Sequence, residues 1–399
     1  MKIGIARNTY CLPNWLTCGI KYCRQYMPPL PPTFLKHKRH SSRKLLDGEL
    51  EASRLQDTLQ QTCKDLCCGI GYTNFKKTCS FTHADIQASR TKPALNQTYM
   101  FGDIFVKGIS LLENYTNSDP SNIQVPEDEE CRAALEKLLH FLQNLENESK
   151  VLQATSKWTW TLMLAEHFFS KLIVSPNYVY DMSTQYGTRK GCPCDDHEDM
   201  IGKPGDTSFG WEEGWHGSTD ILMGDLPVIN VEGMVQDRVT SSSSLRSSSP
   251  CVIDCESFIE VKNERCISKT ELRQVFAETI SFSFLKNKEN KGVTLIPSVA
   301  VDKNCVSVHM YDSELDVFLQ GGPIPIFSEN TKQINISTVI AVWITLNYKL
   351  FSIGVIDGMN KAGLHGQIDI DKYKTEVKAP CRNTYEEPDD WLMRNDWLL

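Results

Sequence analysis

Apolar residues recur along this chain first with a helical period and later with a strand-like one. After Cys131, Leu135, Leu138, Leu139 and Leu142 return at spacings of three and four, which predicts an amphipathic helix. A second helix is predicted over Trp158–Val174, with Leu162, Ala165, Phe169 and Leu172 facing inward and Pro176 beyond its end. Glu166 and His167 sit in the middle of that apolar helix. Residues 175–215 lose the period and read as loop. Short strand-like runs follow at Thr219–Met223, Pro227–Glu232 and Ser257–Lys262, with Gly224–Asp225 as a turn between the first two. A helix is predicted over Thr270–Leu285, capped by Ser268 or Thr270 with Glu271 in its first turn. Val293–Val301, Cys305–Tyr311 and Leu315–Leu319 predict three more strands, and Ile336–Leu350 a long apolar helix. This order predicts an α/β domain over residues 131–370, a central mixed β-sheet flanked by helices.

The remaining text is of a different kind. Residues 1–60 read as a flexible arm, with a proline-rich piece at Met27–Pro32 and a basic cluster at Lys36–His40 joined by Arg43 and Lys44. Residues 61–130 read as a small cysteine-containing region and linker, and residues 371–399 as a polar tail. Ser241–Ser244 and Ser247–Ser249 mark a serine-rich insertion between predicted strands.

Composition narrows the classes. With 41% hydrophobic and 23% charged residues over 399 positions, wholesale disorder is excluded. A net charge of -8 argues against a protein that coats nucleic acid non-specifically, yet leaves room for a local basic groove. The fifteen cysteines are odd in number, and Met1–Arg7 leads into no apolar core of a signal peptide. The expectation is an intracellular protein of nucleus or cytoplasm, with free, buried or metal-bound thiols. No segment approaches the roughly 18 apolar residues of a membrane span, so no membrane partner is expected.

Two cysteine clusters raise metal chemistry. Cys63, Cys67, Cys68, Cys79 and His83 carry spacings near those of a tetrahedral zinc site. Cys192–Pro193–Cys194 opens a stretch running through Asp195, Asp196, His197, Glu198 and Asp199. That stretch is dense in ligands but reads as an acidic loop, able to bind metal only weakly.

The other chemistry lies on the predicted strands. Asp220 opens a strand in His216–Gly217–Ser218–Thr219–Asp220. Glu260 and Lys262 stand two apart in Phe258–Ile259–Glu260–Val261–Lys262, so they share one face of a strand. Two carboxylates and an amine on neighbouring strands suit a divalent cation and an anionic substrate. The pattern E-x-K also occurs at Glu148–Lys150, Glu289–Lys291 and Glu376–Lys378. Glu260 differs from these in following a G-x-x-D strand and preceding a helix that bears Gln274.

Gly217–Ser218–Thr219–Asp220, the Glu260–Val261–Lys262 strand and the Gln274 helix together resemble the PD-(D/E)XK nuclease superfamily, in particular its exonuclease-like branch, over about residues 155–350. The resemblance implies a restriction-endonuclease-like fold and a nuclease that hydrolyses phosphodiester bonds, in DNA ahead of RNA. It implies that Asp220 and Glu260 hold Mg²⁺ or Mn²⁺, with the backbone carbonyl of Val261 facing the ion. Lys262 would orient the attacking water, Gln274 would position substrate or the lysine, and Glu166 would complete the metal shell. Two alternatives stay open on the residues alone. Val231–Glu232–Gly233–Met234 could be the true second strand with its lysine lost, leaving an inactive binding or regulatory module. A zinc-stabilised interaction protein built on Cys63–His83 is the other. Protein partners are not assigned.

Overall fold

The computed structural model describes residues 63–64, 68–75, 77–90, 99–117, 126–152, 157–181, 192–194, 200–224, 226–230, 269–289, 295–302, 304–328 and 332–381. The arm at 1–60, Cys67, the serine-rich insertion, Glu232, Glu260, Val261 and Lys262 lie outside them.

In chain order the strands are β1 Cys63–Lys64, β2 Cys68–Thr73, β3 Cys79–Ser80, β4 Ile86–Arg90, β5 Tyr178–Asp181, β6 Lys203–Gly205 and β7 Ser208–Gly210. They continue as β8 Trp215–Ser218, β9 Ile221–Met223, β10 Leu226–Asn230, β11 Leu295–Val301, β12 Cys305–Asp312, β13 Val317–Gly321 and β14 Ile324–Pro325. The helices are α1 Phe101–Ile104, α2 Val106–Asn117, α3 Glu129–Gln143, α4 Leu145–Val151 and α5 Lys157–Leu164. After α5 the helix widens into a π-turn at Ala165–Phe169 and resumes as α6 Ser170–Leu172. Then come α7 Lys269–Glu289, α8 Ile336–Leu346, α9 Tyr348–Phe351 and α10 Ile370–Glu376.

The main sheet is mixed and runs β1-β13-β12-β11-β10-β9-β5-β6, with β14 also on β12. β5, β9 and β10 form an antiparallel meander, with Tyr180 opposite Ile221 and Ile221 opposite Val228. Met223 pairs with Leu226, and Gly224 at φ +57° opens the tight turn between them, as its position in the sequence suggested. β11 then joins β10 in parallel, Val228 beside Val299. A parallel neighbour requires a crossover, and α7 supplies it.

Burial explains the sheet's centre. All seven residues of β11 are buried, because α7 covers one face and α8 the other. Every residue of α8 from Ser337 to Leu346 is buried, as expected of a helix apolar on all sides. Asn347 ends it sooner than the apolar run predicts. Its amide donates to Leu172 O at 2.9 Å and Trp343 O at 2.8 Å, while its Oδ1 accepts from Val174 N at 3.1 Å. One side chain thus closes α8 and fastens α6 beside it.

The flanking segments join this body. Phe81 lies 5.0 Å from Phe209 between ring centroids, and Tyr373 lies 4.7 Å from both Phe75 and Phe284. Residues 175–215, which the sequence pattern presents as loop, contain β5 to β7 and the start of β8. Those strands are only three or four residues long and rich in glycine, too short to show a period. Among the described residues no helix is long and apolar enough to cross a membrane.

Candidate functional site

Asp220 stands at the seam where the chain passes from the small β3-β8-β7 sheet into the main one. Its position is fixed through the backbone. Asp181 N donates to Asp220 O at 3.0 Å, and Thr219 N donates to Thr207 O at 3.3 Å. Thr219 Oγ1 donates to Val228 O at 3.1 Å, tying the same turn to β10. The side chain of Asp220 is half-buried. The Ile221–Val228 pair puts it beside the C-terminal end of β10, from which the chain departs toward Glu260 and Lys262.

The N-terminal turns of α7 belong to this same end of the sheet. Glu271, in the first turn, acts electrostatically on Asp302, the residue that follows β11. Gln274 is half-buried, and its Nε2 donates to Glu278 Oε1 at 2.8 Å, one turn along. Asp302 is a further carboxylate at this end, marked by no motif in the sequence. Its Oδ1 accepts from Asn304 N and Cys305 N, both at 2.6 Å, while its buried Oδ2 has no hydrogen-bond partner among the described residues. Burial pushes its carboxyl above the usual range and the charge of Glu271 adds to this, against the pull of the two backbone N–H groups. Asp220 and Asp302 flank the C-terminal end of β10 from its two sides.

Glu166 is placed differently from Asp220. It is buried in the π-turn, and its Oε2 accepts from Tyr178 OH at 2.7 Å and from Ile201 N at 3.1 Å. Burial, that bond and the carboxylate charge together push the Tyr178 hydroxyl pKa up. These contacts join the helix to the first residue of β5 and to the approach to β6.

Beside Glu166 the structure gathers a group that sequence spacing had not joined. The ligand atoms of His167, Cys192 and Cys194 all lie within 4.8 Å of one another. His167 Nε2 is 3.1 Å from Cys192 Sγ, and His167 Nδ1 is 3.8 Å from Glu148 Oε2 on α4. Burial lowers the imidazole pKa, but hydrogen bonds and charge from Glu148 and Cys194 outweigh it and leave the ring above its ordinary value. Burial pushes the Cys192 thiol up to about 12. The pair at 192 and 194 was read as part of an acidic loop. It is instead docked on a buried histidine 25 residues upstream. The signal in the sequence was the unusual His167 within an apolar helix.

Two members of the other cysteine cluster lie on different sheets. Cys63 lies on β1, paired with Gly321 of the main sheet, and Cys79 lies on β3, paired with Trp215 of the small one. Cys79 Sγ accepts from Asn74 at 3.5 Å, and His83 Nδ1 contacts Ser80 Oγ at 2.8 Å. His216 is buried against Gly214 O at 3.1 Å. Compared with family models, curated proteins and solved structures, the chain matches none of them.

Proposed function

We propose that this chain is a metal-dependent nuclease with a restriction-endonuclease-like core, acting on DNA. The observation that carries the reading is the path of the chain. A helix bearing Glu166 leads into the meander β5-β9-β10, the α7 crossover bears Gln274, and β11 returns parallel to β10. This is the order in which the resemblance places its glutamate helix, aspartate strand and glutamine helix. Asp220, the departure of the chain after Asn230 and the start of α7 share one end of the sheet, and the connection between them contains Glu260 and Lys262.

Under this reading Asp220 and Glu260 hold Mg²⁺ or Mn²⁺ through hard carboxylate oxygens. The bound ion would supply Lewis acidity and a lowered water pKa. Lys262 orients the attacking water and offsets charge on the phosphate. Gln274 positions substrate or the lysine, its amide held toward Glu278. Asp302 adds negative charge at the same end, which favours a cation there. Glu166, whose carboxylate already accepts from Tyr178 and Ile201, fixes the first residue of β5 against the helix, at the end of that strand away from Asp220.

The test is cleavage of single- and double-stranded DNA, and of RNA, by the purified full chain with Mg²⁺ or Mn²⁺. Cutting that Asp220→Ala and Lys262→Ala abolish supports the reading; no cutting of any substrate with either ion overturns it. The net charge of -8 favours a second reading, an inactive nuclease-fold module that binds or regulates. Nucleic-acid binding that Glu260→Gln leaves unchanged, without cutting, would select it.

A further inference from the structure

We propose that His167, Cys192 and Cys194 form a zinc site, separate from the Asp220 end of the sheet, which fastens the π-turn to the connection between β5 and β6. Three observations carry it. The first is convergence of donors. Around one tetrahedral zinc, with Zn–S about 2.3 Å and Zn–N about 2.0–2.1 Å, donors stand roughly 3.5–3.8 Å apart. The three side chains already share a space in which no pair of ligand atoms exceeds 4.8 Å, so small rotations reach that geometry. Neither cysteine is in a disulfide.

The second is the direction of the imidazole. Nε2 faces Cys192 Sγ, and Nδ1 faces Glu148 Oε2. A carboxylate behind the non-ligating nitrogen is the usual support of a metal-bound histidine, since it fixes the ring and its tautomer. His167 is 2% exposed, so this orientation is held by packing.

The third is the local backbone and its charge. The π-turn turns two adjacent ionisable residues, Glu166 and His167, into the protein together. Widened turns of this kind are uncommon and gather at functional sites. Glu148, Cys192 and Cys194, each an acidic or thiol group, converge on His167, with Glu166 acting on Cys192. A site of this sign calls for a cation. Two thiolates balance the charge of Zn²⁺, so the buried centre becomes neutral once two thiol protons have left to solvent and the Nε2 lone pair has bound the ion. Soft sulfur donors select zinc over magnesium, which keeps this site distinct from the carboxylate site proposed at Asp220.

The experiment uses the full chain loaded with Zn²⁺ and dialysed against metal-free buffer. Elemental analysis is expected to find about one tightly held zinc per chain. Cys192→Ser with Cys194→Ser should lose it, while Cys79→Ser should keep it. Because the double variant could fail to fold, cysteine alkylation of the unaltered protein is read in parallel by peptide mass spectrometry. Zinc should shield Cys192 and Cys194, and a chelator should expose both. The proposal is overturned by a loaded chain free of zinc, by a folded double variant that retains it, or by equal alkylation of both cysteines with and without chelator. None of these outcomes depends on nuclease activity.

Discussion

The backbone N–H of Asp181 bonds to the carbonyl of Asp220 at 3.0 Å, one step beyond the Tyr180–Ile221 pair of β5 and β9. The sheet therefore holds Asp220 by its main chain, and its side chain is half-buried. Replacing the side chain should cost the fold little. Asp220→Asn is expected to unfold within about 1 kcal/mol of the parent in denaturant, as for partly exposed positions. Mg²⁺-dependent cleavage should fall by roughly 10²-fold or more. A variant that melts like the parent and still cuts removes Asp220 from the site.

Asp302 predicts a pH dependence of opposite sense to that of most carboxylates. Its folded pKa is raised above the unfolded value, chiefly by burial. The folded state therefore holds the proton more tightly than the unfolded state. Its contribution to stability is fully present below the unfolded carboxyl range and is lost as pH rises through that range to the folded pKa. Asp302→Asn keeps an oxygen for Asn304 N and Cys305 N and removes a buried charge. Denaturant titrations should show the variant more stable than the parent at pH 7, with the gain shrinking toward zero as pH falls below about 4. Under the nuclease reading, cleavage should fall in the same variant that gains stability.

The Glu166–Tyr178 pair gives a prediction of coupling. Tyr178→Phe deletes a donor to a buried carboxylate, at a cost of about 1–3 kcal/mol. Gly202 stands against the same ring, and a Cβ there would clash with a Tyr178 ring carbon. Gly202→Ala must push the ring aside, at a cost of about 1–3 kcal/mol. Both changes break one bond, so the double variant should cost clearly less than the sum of the singles. Additive losses would mean that Tyr178 moves without leaving Glu166.

What the sequence disclosed follows from the range of the forces involved. β11, β12 and α8 were legible because burial writes long apolar runs, and Gly224 because its turn needs a positive φ. The end of α8 was misplaced because Asn347 stops the helix by bonding to Leu172, a contact 175 residues away. Asp220 could be singled out by its motif. Asp302 could not, because a carboxylate after a strand looks like any turn residue until its burial is known. The His167–Cys192 contact was hidden for the same reason, since spacing rules detect ligands on one local segment and this cluster joins a helix to a distant connection.

Asp316 carries the most concentrated prediction about stability. It lies between β12 and β13 at φ +58°, a left-handed conformation that asparagine and glycine tolerate better than alanine. Its Oδ1 accepts from Tyr311 OH at 2.9 Å and Leu364 N at 3.3 Å, and its Oδ2 from Gly363 N and His365 N, both at 3.1 Å. One buried carboxylate thus satisfies three successive N–H groups and a phenol, pinning residues 363–365 onto the strand pair. Asp316→Asn keeps the backbone conformation and one accepting oxygen, so it should cost about 1–3 kcal/mol. Asp316→Gly keeps the conformation but orphans all four donors and should cost more. Asp316→Ala adds backbone strain to that loss and should cost most, above about 4 kcal/mol, in the range reserved for broken buried networks. Hydrogen exchange at Gly363, Leu364 and His365 provides the local readout. These three amides should lose protection in the order Asn, Gly, Ala; protection unchanged in Asp316→Ala would show that the segment is held by its own packing instead.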